Sequence, residues 1–350
     1  MKEIQIGSRH IGKDNPPFII AEMSGNHNQS LERALDIVKA AAKAGAHAFK
    51  IQTYTPETMT LPIQDGDFRI ESGGLWKGRS LFDLYKEAHT PWKWHQPIFE
   101  TCKKLGMIPF STAFDETSLE FLESLDAACY KIASFENNDI PLLKKVASTG
   151  KPMIISTGLA SLGEIENIVN TISAAGCKDY ILLKCTSSYP ASPENSNLNT
   201  IPYLREVFHC QVGLSDHTLG IGAAVASVAL GSTVIEKHFT LNREEGGVDS
   251  AFSLEPDEFA SLVKETDTAW KSLGKVSTGP TKEEEHSLQF RRSIYISRDI
   301  RAGEVLTAEN IRVIRPGFGL EPKYYDLLLG KKINRDLKRG TPLTWELLLE

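Results

Sequence analysis

Val234 to Thr240 reads VIEKHFT. Val, Ile and Phe are strand formers. The centre, however, is Glu236, Lys237 and His238, and a strand buried on both faces does not hold such groups without partners or a ligand. Alternation sorts them. Side chains two apart share a face of a strand, so Glu236 and His238 point together. Lys237 points the other way, where its stem is expected to lie along apolar surface with the amine in water. A second imidazole, His217, ends the neighbouring run QVGLSDH. Two imidazoles near carboxylates suit a divalent ion such as Mn²⁺, Co²⁺ or Zn²⁺. The competing reading is a hydrogen-bonded ring pair.

Other runs end in polar residues of a second kind. Lys50 and Gln52 share a face in AFKIQTY, and Lys131 lies in CYKIASF. Thr112, Ser134, Ser156 and Ser215 occupy comparable positions. Two ammonium groups beside hydroxyls suit phosphate or carboxylate oxygens. A lysine in such a place can also be a Schiff-base nucleophile. Glu22 ends the first run and Glu136 follows the fourth, and carboxylates at such ends can move protons.

The elements that carry these residues form a pattern. Eight apolar runs recur, at residues 18–23, 48–54, 107–114, 129–135, 153–158, 180–186, 211–217 and 234–240. Helical spacing fills the intervals, with stops at Gly45, Gly106, Gly150, Gly176 and Gly274. Eight strands alternating with eight helices predict an α/β fold, a (β/α)₈ TIM barrel over residues 1–274. An open doubly wound sheet is the competitor, and the number of strands favours the barrel. In barrels of this kind the site lies at the C-terminal strand ends, where the residues named above fall. One connection, residues 55–91, is long enough to be functional. Its Trp76, Phe82 and Tyr85 predict an ordered lid or a dimer contact.

Residues 275–289 are polar and read as a linker. Residues 290–350 have short β-like runs and turns at Arg-Ala-Gly and Lys-Arg-Gly. A domain this small makes a weak core alone.

Bulk composition narrows the function. The chain has 350 residues, 41% hydrophobic and 24% charged, with a net charge of −6. That predicts a packed globular protein and argues against a nucleic-acid backbone binder. No apolar run approaches the ~18 residues of a membrane span, and the start lacks a signal-peptide core. Five scattered cysteines are expected to be reduced. The reading is a cytoplasmic enzyme.

The motifs FIIAEMSGNHNQSLERA, KIQTY, PFSTAFD, YKIASFENN, IISTG, LKCTSSYP, VGLSDHT and IEKHFT resemble the sialic acid synthase family in order and spacing. SRDIRAGEVLTAENIRVIRPGFG is similar to that family's C-terminal SAF domain, an antifreeze-like β-clip. The resemblance spans nearly the whole chain. It implies a transferase that condenses phosphoenolpyruvate with an N-acylated amino sugar into a nine-carbon 2-keto acid, using a divalent metal (Mn²⁺, Co²⁺ or Mg²⁺). GGLWKGRSLFDLYKEAHTPWKWH and RPGFGLEPKYYDLLLGKK resemble a branch whose acceptor is 2,4-diacetamido-2,4,6-trideoxy-L-altrose. Neuraminate, other nonulosonate and spore-coat branches are the alternatives.

Position by position, the resemblance implies that His217 and His238 hold the metal. Lys50, Thr112, Lys131, Ser134, Ser156 and Ser215 would hold phosphoenolpyruvate. Ser187 would join them as a phosphoenolpyruvate contact, although neuraminate synthases tend to have Asn there. Gln52, Tyr189 and Asp249 would face the sugar, and Glu22, Glu136 and Glu236 match the family's acidic site residues. Arg315 resembles the SAF-domain arginine that reaches a partner subunit's site, which implies a domain-swapped homodimer. A Schiff-base aldolase and a carbohydrate- or ice-binding protein remain the other classes.

Overall fold

The computed structural model describes residues 1–71 and 74–349. They form two compact units, Met1–Gly274 and Lys275–Glu350. In the first, a short antiparallel hairpin, β1 (Ile4–Ile6) and β2 (Arg9–Ile11), precedes the barrel. The barrel strands are β3 (Phe18–Glu22), β4 (Ala48–Thr53), β5 (Ile108–Ala113), β6 (Tyr130–Ile132), β7 (Met153–Ser156), β8 (Tyr180–Cys185), β9 (Gln211–Asp216) and β10 (Val234–His238). They run parallel and close in chain order, with β10 pairing β3. The expected (β/α)₈ barrel is therefore observed.

Two separate cores explain why both faces of each strand are filled. Outward residues such as Ile19, Ala21, Phe49 and Ile51 meet the helices. The first helix, Leu31–Lys43, shows how the sequence achieves this. Ala34, Ile37, Val38 and Ala41 repeat on one face and are buried. Burying Ile37 and Val38 stabilises the layer by roughly 1.5–3 kcal/mol each. The Ser30 hydroxyl accepts from the Arg33 amide, a cap worth ~1 kcal/mol. The chain turns away at Gly45, whose φ of 90° suits glycine.

The second core fills the barrel interior. Ile20, Ala48, Phe110, Cys129, Ile154, Leu183 and Val234 pack there with Ile4, Ile6 and Ile11 of the hairpin. Gly213 occupies the interior position on β9, where an added Cβ would collide with the Val234 carbonyl oxygen. The hairpin is an addition to the sequence-based expectation. Its strands are only three residues long, so they carry almost no periodicity.

The described residues of the 55–91 connection are structured. They include helices Pro56–Met59 and Leu81–Ala88. The backbone amide of Ile70 donates to the Arg79 carbonyl at 2.9 Å, and that of Gly78 to the Ile70 carbonyl at 2.8 Å. The Trp76 indole N–H donates to the Val248 carbonyl at 3.0 Å.

In the second unit, residues 275–289 are exposed. Antiparallel strands β11 (Ser293–Ile296) and β12 (Ile311–Ile314) and isolated bridges enclose a core of Ile294, Ile296, Ile300, Leu306, Ile311, Leu328, Ile333, Leu337 and Leu343. Gly303 and Gly340, with φ of 81° and 89°, make the two expected turns. Among the described residues, no helix is long and apolar enough to cross a membrane.

Candidate active site

One step of two residues turns the barrel interior from apolar to polar. Ile20 is followed on the same face by Glu22, Ala48 by Lys50, Phe110 by Thr112 and Cys129 by Lys131. Ile154 is likewise followed by Ser156, Leu183 by Cys185, Gly213 by Ser215 and Val234 by Glu236. A further step brings Gln52, His217 and His238 to the mouth. Most of these residues line a cavity of about 380 Å³, within the range of small-molecule sites. Thus Lys50, Gln52, Thr112, Lys131, Ser134, Glu136, Ser156, Tyr189, Ser215, His217, Glu236, His238 and Asp249 converge as expected.

At the floor, Lys50 Nζ lies 2.6 Å from Glu22 Oε2 and 3.9 Å from Glu236 Oε2. Lys131 Nζ lies 3.6 Å from Glu236 Oε1. Lys50 donates to Thr112 Oγ1 at 3.2 Å, Lys131 to Ser156 Oγ at 2.8 Å, and Ser215 Oγ to Glu236 Oε1 at 3.1 Å. Gln52 Nε2 donates to Glu22 Oε1 at 3.2 Å and to Ser24 Oγ at 2.9 Å, and Ser24 donates in turn to Asp249. Burial raises Glu22 to about 7, against the pull of Lys50. Burial also pushes Glu236 up, but Lys131 and Lys50 outweigh it and hold that carboxyl low. The two glutamates therefore differ: Glu236 stays ionised between the lysines, while Glu22 can exchange a proton near neutral pH. Glu136, half-buried at the cavity wall, is raised to about 7 by burial.

His217 and His238 stand side by side, ring centroids 5.3 Å apart. His217 Nδ1 bonds the Thr186 carbonyl at 3.0 Å, which leaves Nε2 free to ligate. Burial holds His238 well below the usual imidazole range, with the charges of His217 and Lys50 adding to it. Its neutral ring keeps Nδ1 buried without a hydrogen-bond partner. Two adjacent imidazoles are the donor chemistry of a first-row divalent ion; burial lowers His217, but the Cys185 thiol outweighs it and holds the ring above the ordinary imidazole range, so His217 must give up its proton to ligate. Among the described residues, no group of three or more His, Cys, Asp or Glu gathers as a metal site. A divalent ion there fits only with water or substrate oxygens completing its shell. Glu236 Oε2 and Glu136 Oε2 are also buried without hydrogen-bond partners. Three orphaned acceptors at one cavity mark a polar ligand site.

Some expectations need correction. Lys237 faces the helix layer but does not reach water. It is fully buried, with Nζ 2.7 Å from Asp216 Oδ2, and it also donates to the Thr218 carbonyl. A short outward-facing strand residue under packed helices has no route to solvent, so an ion pair replaces snorkelling. Lys184 likewise faces away and donates to the Cys185 carbonyl at 2.9 Å. Its neighbour Cys185 lines the cavity instead. There burial would raise the thiol, but the His217 hydrogen bond and charge lower it to about 6. Ser187 sits just outside the cavity lining, with its hydroxyl 3.7 Å from Cys185 Sγ. Arg315 follows β12 in the second unit and is exposed.

Other contributors were not foreseen. Ser24, Tyr54, Phe114 and Val248 line the cavity. The amide of Gly158 donates to Ser134 Oγ at 3.2 Å, and an added Cβ there would meet the hydroxyls of both Ser187 and Ser134. The TG after β7 was the signal for Gly158. All five cysteines are free, as expected.

A closed barrel with paired lysines, a hydroxyl ring and two imidazoles at its C-terminal mouth is an enzyme scaffold for an anionic substrate. The chain belongs to the NeuB family, whose pattern matches residues 37–278, followed by a SAF domain at residues 291–349. It is 46% identical to a pseudaminic acid synthase of Campylobacter jejuni, over 97% of this chain and 98% of that protein. Among solved structures, an N-acetylneuraminic acid synthetase of Leptospira borgpetersenii in complex with citrate is 35% identical. The match has a TM-score of 0.73 and covers 83% of this chain and 96% of that one. A spore coat polysaccharide biosynthesis protein of Bacillus subtilis is 34% identical, with a TM-score of 0.68 over 100% and 99% of the two chains. The family expected from the sequence motifs is the family found.

Proposed function

We propose that this chain condenses phosphoenolpyruvate, water and 2,4-diacetamido-2,4,6-trideoxy-L-altrose to pseudaminic acid and phosphate. The observation that carries this is the charged floor, where Lys50 and Lys131 flank Glu236 at the foot of a cavity in a chain 46% identical to a pseudaminic acid synthase.

In this reading Lys50 and Lys131 hold the phosphate and carboxylate of phosphoenolpyruvate. Thr112, Ser134, Ser156 and Ser215 bond it from the ring around them. Gln52, Tyr189 and Asp249 orient the open-chain sugar. Carbon 3 of phosphoenolpyruvate attacks the sugar aldehyde, and positive charge develops at carbon 2. Glu236, kept ionised between the lysines, faces that charge. Water adds at carbon 2 and its proton passes to Glu22, whose raised pKa of about 7 suits a base that must later release the proton. Glu136 is the second candidate for this step. The proton taken by Glu22 passes to the former aldehyde oxygen, which becomes a hydroxyl, and the carbon-2 hydroxyl gives its own proton to the departing phosphate as the C–O bond breaks and the ketone forms. A divalent ion (Mn²⁺, Co²⁺ or Mg²⁺) held by His217 and His238 would supply Lewis-acid polarisation of the aldehyde oxygen.

The assembly proposed is a domain-swapped homodimer in which Arg315 of one chain contacts the N-acyl group in the other's site. Phe135, Leu159 and Leu219, in loops at the C-terminal ends of β6, β7 and β9, are exposed, and apolar side chains around a mouth suit a covering partner. Free buried cysteines suit a reducing, cytoplasmic setting.

Product analysis tests the reading. Phosphoenolpyruvate is offered with N-acetylmannosamine, its 6-phosphate and both diacetamido trideoxyhexoses, and mass and stereochemistry are determined. The altro product supports the proposal; a neuraminate or legionaminate product moves the chain to another branch. Manganese binding by calorimetry, lost in His238→Ala, tests the metal assignment. Borohydride trapping with pyruvate tests the Schiff-base alternative, for which burial-lowered Lys131 is the candidate.

A further inference from the structure

The cavity has two unlike ends. Its floor is charged, as described. Its outer wall comes from the 55–91 connection and is apolar: Met59, Ile70, Trp76, Leu81, Leu84 and Tyr85 line it. The wall is held in place from several directions. The Trp76 indole N–H is spent on the Val248 carbonyl at 3.0 Å, and its ring lies 5.5 Å from that of Tyr189. Tyr85 packs edge-on against Tyr54, with centroids 5.9 Å apart, and Tyr54 against Phe114 at 5.1 Å. Five of the six wall side chains therefore turn an apolar surface, or one whose polar atom is already bonded, to whatever lies between wall and floor.

Chemistry fixes which end of the acceptor meets the wall. The aldehyde carbon must approach carbon 3 of phosphoenolpyruvate, whose anionic groups belong on the lysines of the floor. Carbons 4 to 6 of the extended sugar then point outward. An apolar wall gains from methyl groups there and leaves a hydroxyl stripped of its water without a partner. On the synthase reading above, we infer that the wall centred on Trp76 is the element that selects the acceptor. It accepts the carbon-6 methyl and the carbon-4 acetamido methyl, and disfavours sugars hydroxylated at carbon 6.

The test compares 2,4-diacetamido-2,4,6-trideoxy-L-altrose with its counterpart bearing a 6-hydroxyl, which differs in one oxygen. Phosphate release is followed with wild type, Trp76→Ala, Trp76→Phe and Ile70→Ser. The wild type is expected to prefer the 6-deoxy sugar by ~10- to 100-fold in kcat/KM, the range an apolar pocket achieves against an added hydroxyl. In Trp76→Ala and Ile70→Ser the preference falls toward parity through a higher KM for the 6-deoxy sugar. The KM for phosphoenolpyruvate is unchanged, and Trp76→Phe keeps most of the preference. If the preference survives both truncations, or both sugars lose kcat equally, the wall does not select. Turnover without discrimination by the wild type overturns the inference alone. Turnover with neither sugar overturns the synthase reading as well.

Discussion

Lys237 and Asp216 are direct neighbours across β10 and β9, and their side chains meet at 2.7 Å on the outer face of the barrel. On the inner face, one residue away on either side, lie Ser215 with Glu236 and His217 with His238. Asp216 also accepts from the amide and hydroxyl of Thr218, and Lys237 donates to the Thr218 carbonyl. The pair thus ties together the two strands and the turn that carry both imidazoles.

Lys237→Met leaves the Asp216 carboxylate buried and unpaired. The expected cost is about 3–5 kcal/mol of stability, read from urea denaturation. The double variant Lys237→Met/Asp216→Leu recovers much of the loss, because replacing both partners by apolar groups removes the stranded charge. A double variant that loses the sum of the Lys237→Met and Asp216→Leu losses would show that the pair is not coupled.

Glu136 makes stability depend on pH. Its folded pKa, about 7, is raised above the ordinary 4.5 by burial. Below 4.5 the group is neutral whether the chain is folded or not. Between 4.5 and 7 the unfolded chain releases a proton that the folded chain keeps, so stability falls as pH rises. Glu136→Gln escapes this loss. Its melting temperature matches wild type near pH 4 and exceeds it by a few degrees near pH 8. A constant offset at both pH values would contradict the assignment.

Gly158→Ala inserts a methyl group against the hydroxyls of Ser134 and Ser187. Both must rotate away from the position they share. Loss of one hydrogen bond to a charged group, ~1.5–3 kcal/mol, predicts a KM for phosphoenolpyruvate raised at least ~10-fold. The sugar KM changes little. Steady-state kinetics with each substrate varied in turn decides this, and an effect confined to the sugar would remove Gly158 from the anion site.

Arg315→Ala is expected to raise the sugar KM by ~10-fold or more, the loss of a charge-assisted contact, with the phosphoenolpyruvate KM unaffected. Mixing it with His238→Ala, under conditions that allow subunit exchange, should restore turnover at low sugar concentration beyond the sum of the two variants alone, since each mixed dimer can then assemble one intact site. Additive residual activities without complementation would place Arg315 in its own chain's site or in none.

The barrel was legible because each strand alternates and several helices stop at a glycine. The pairs Lys50 with Gln52 and Glu236 with His238 followed from that period alone. The same rule, applied from Leu183, places Cys185 inside and Lys184 outside. The outward turn of Lys237 was readable, but its partner was not. Asp216 becomes its neighbour only through the β9–β10 register, which pairs them directly. The apolar wall was least readable, since the position of Trp76 depends on a carbonyl far along the chain, that of Val248. A loop held by contacts between distant segments carries no local period.

The central claim is condensation with C–O cleavage, and water labelled with ¹⁸O tests it most directly. Phosphoenolpyruvate and the diacetamido trideoxy sugar are incubated with the metal-loaded protein, and both products are analysed by mass spectrometry. The account predicts one unlabelled phosphate for each nine-carbon keto acid formed, since the phosphate departs with the oxygen it brought. Phosphate carrying ¹⁸O, or phosphate released without the nine-carbon acid, would contradict it.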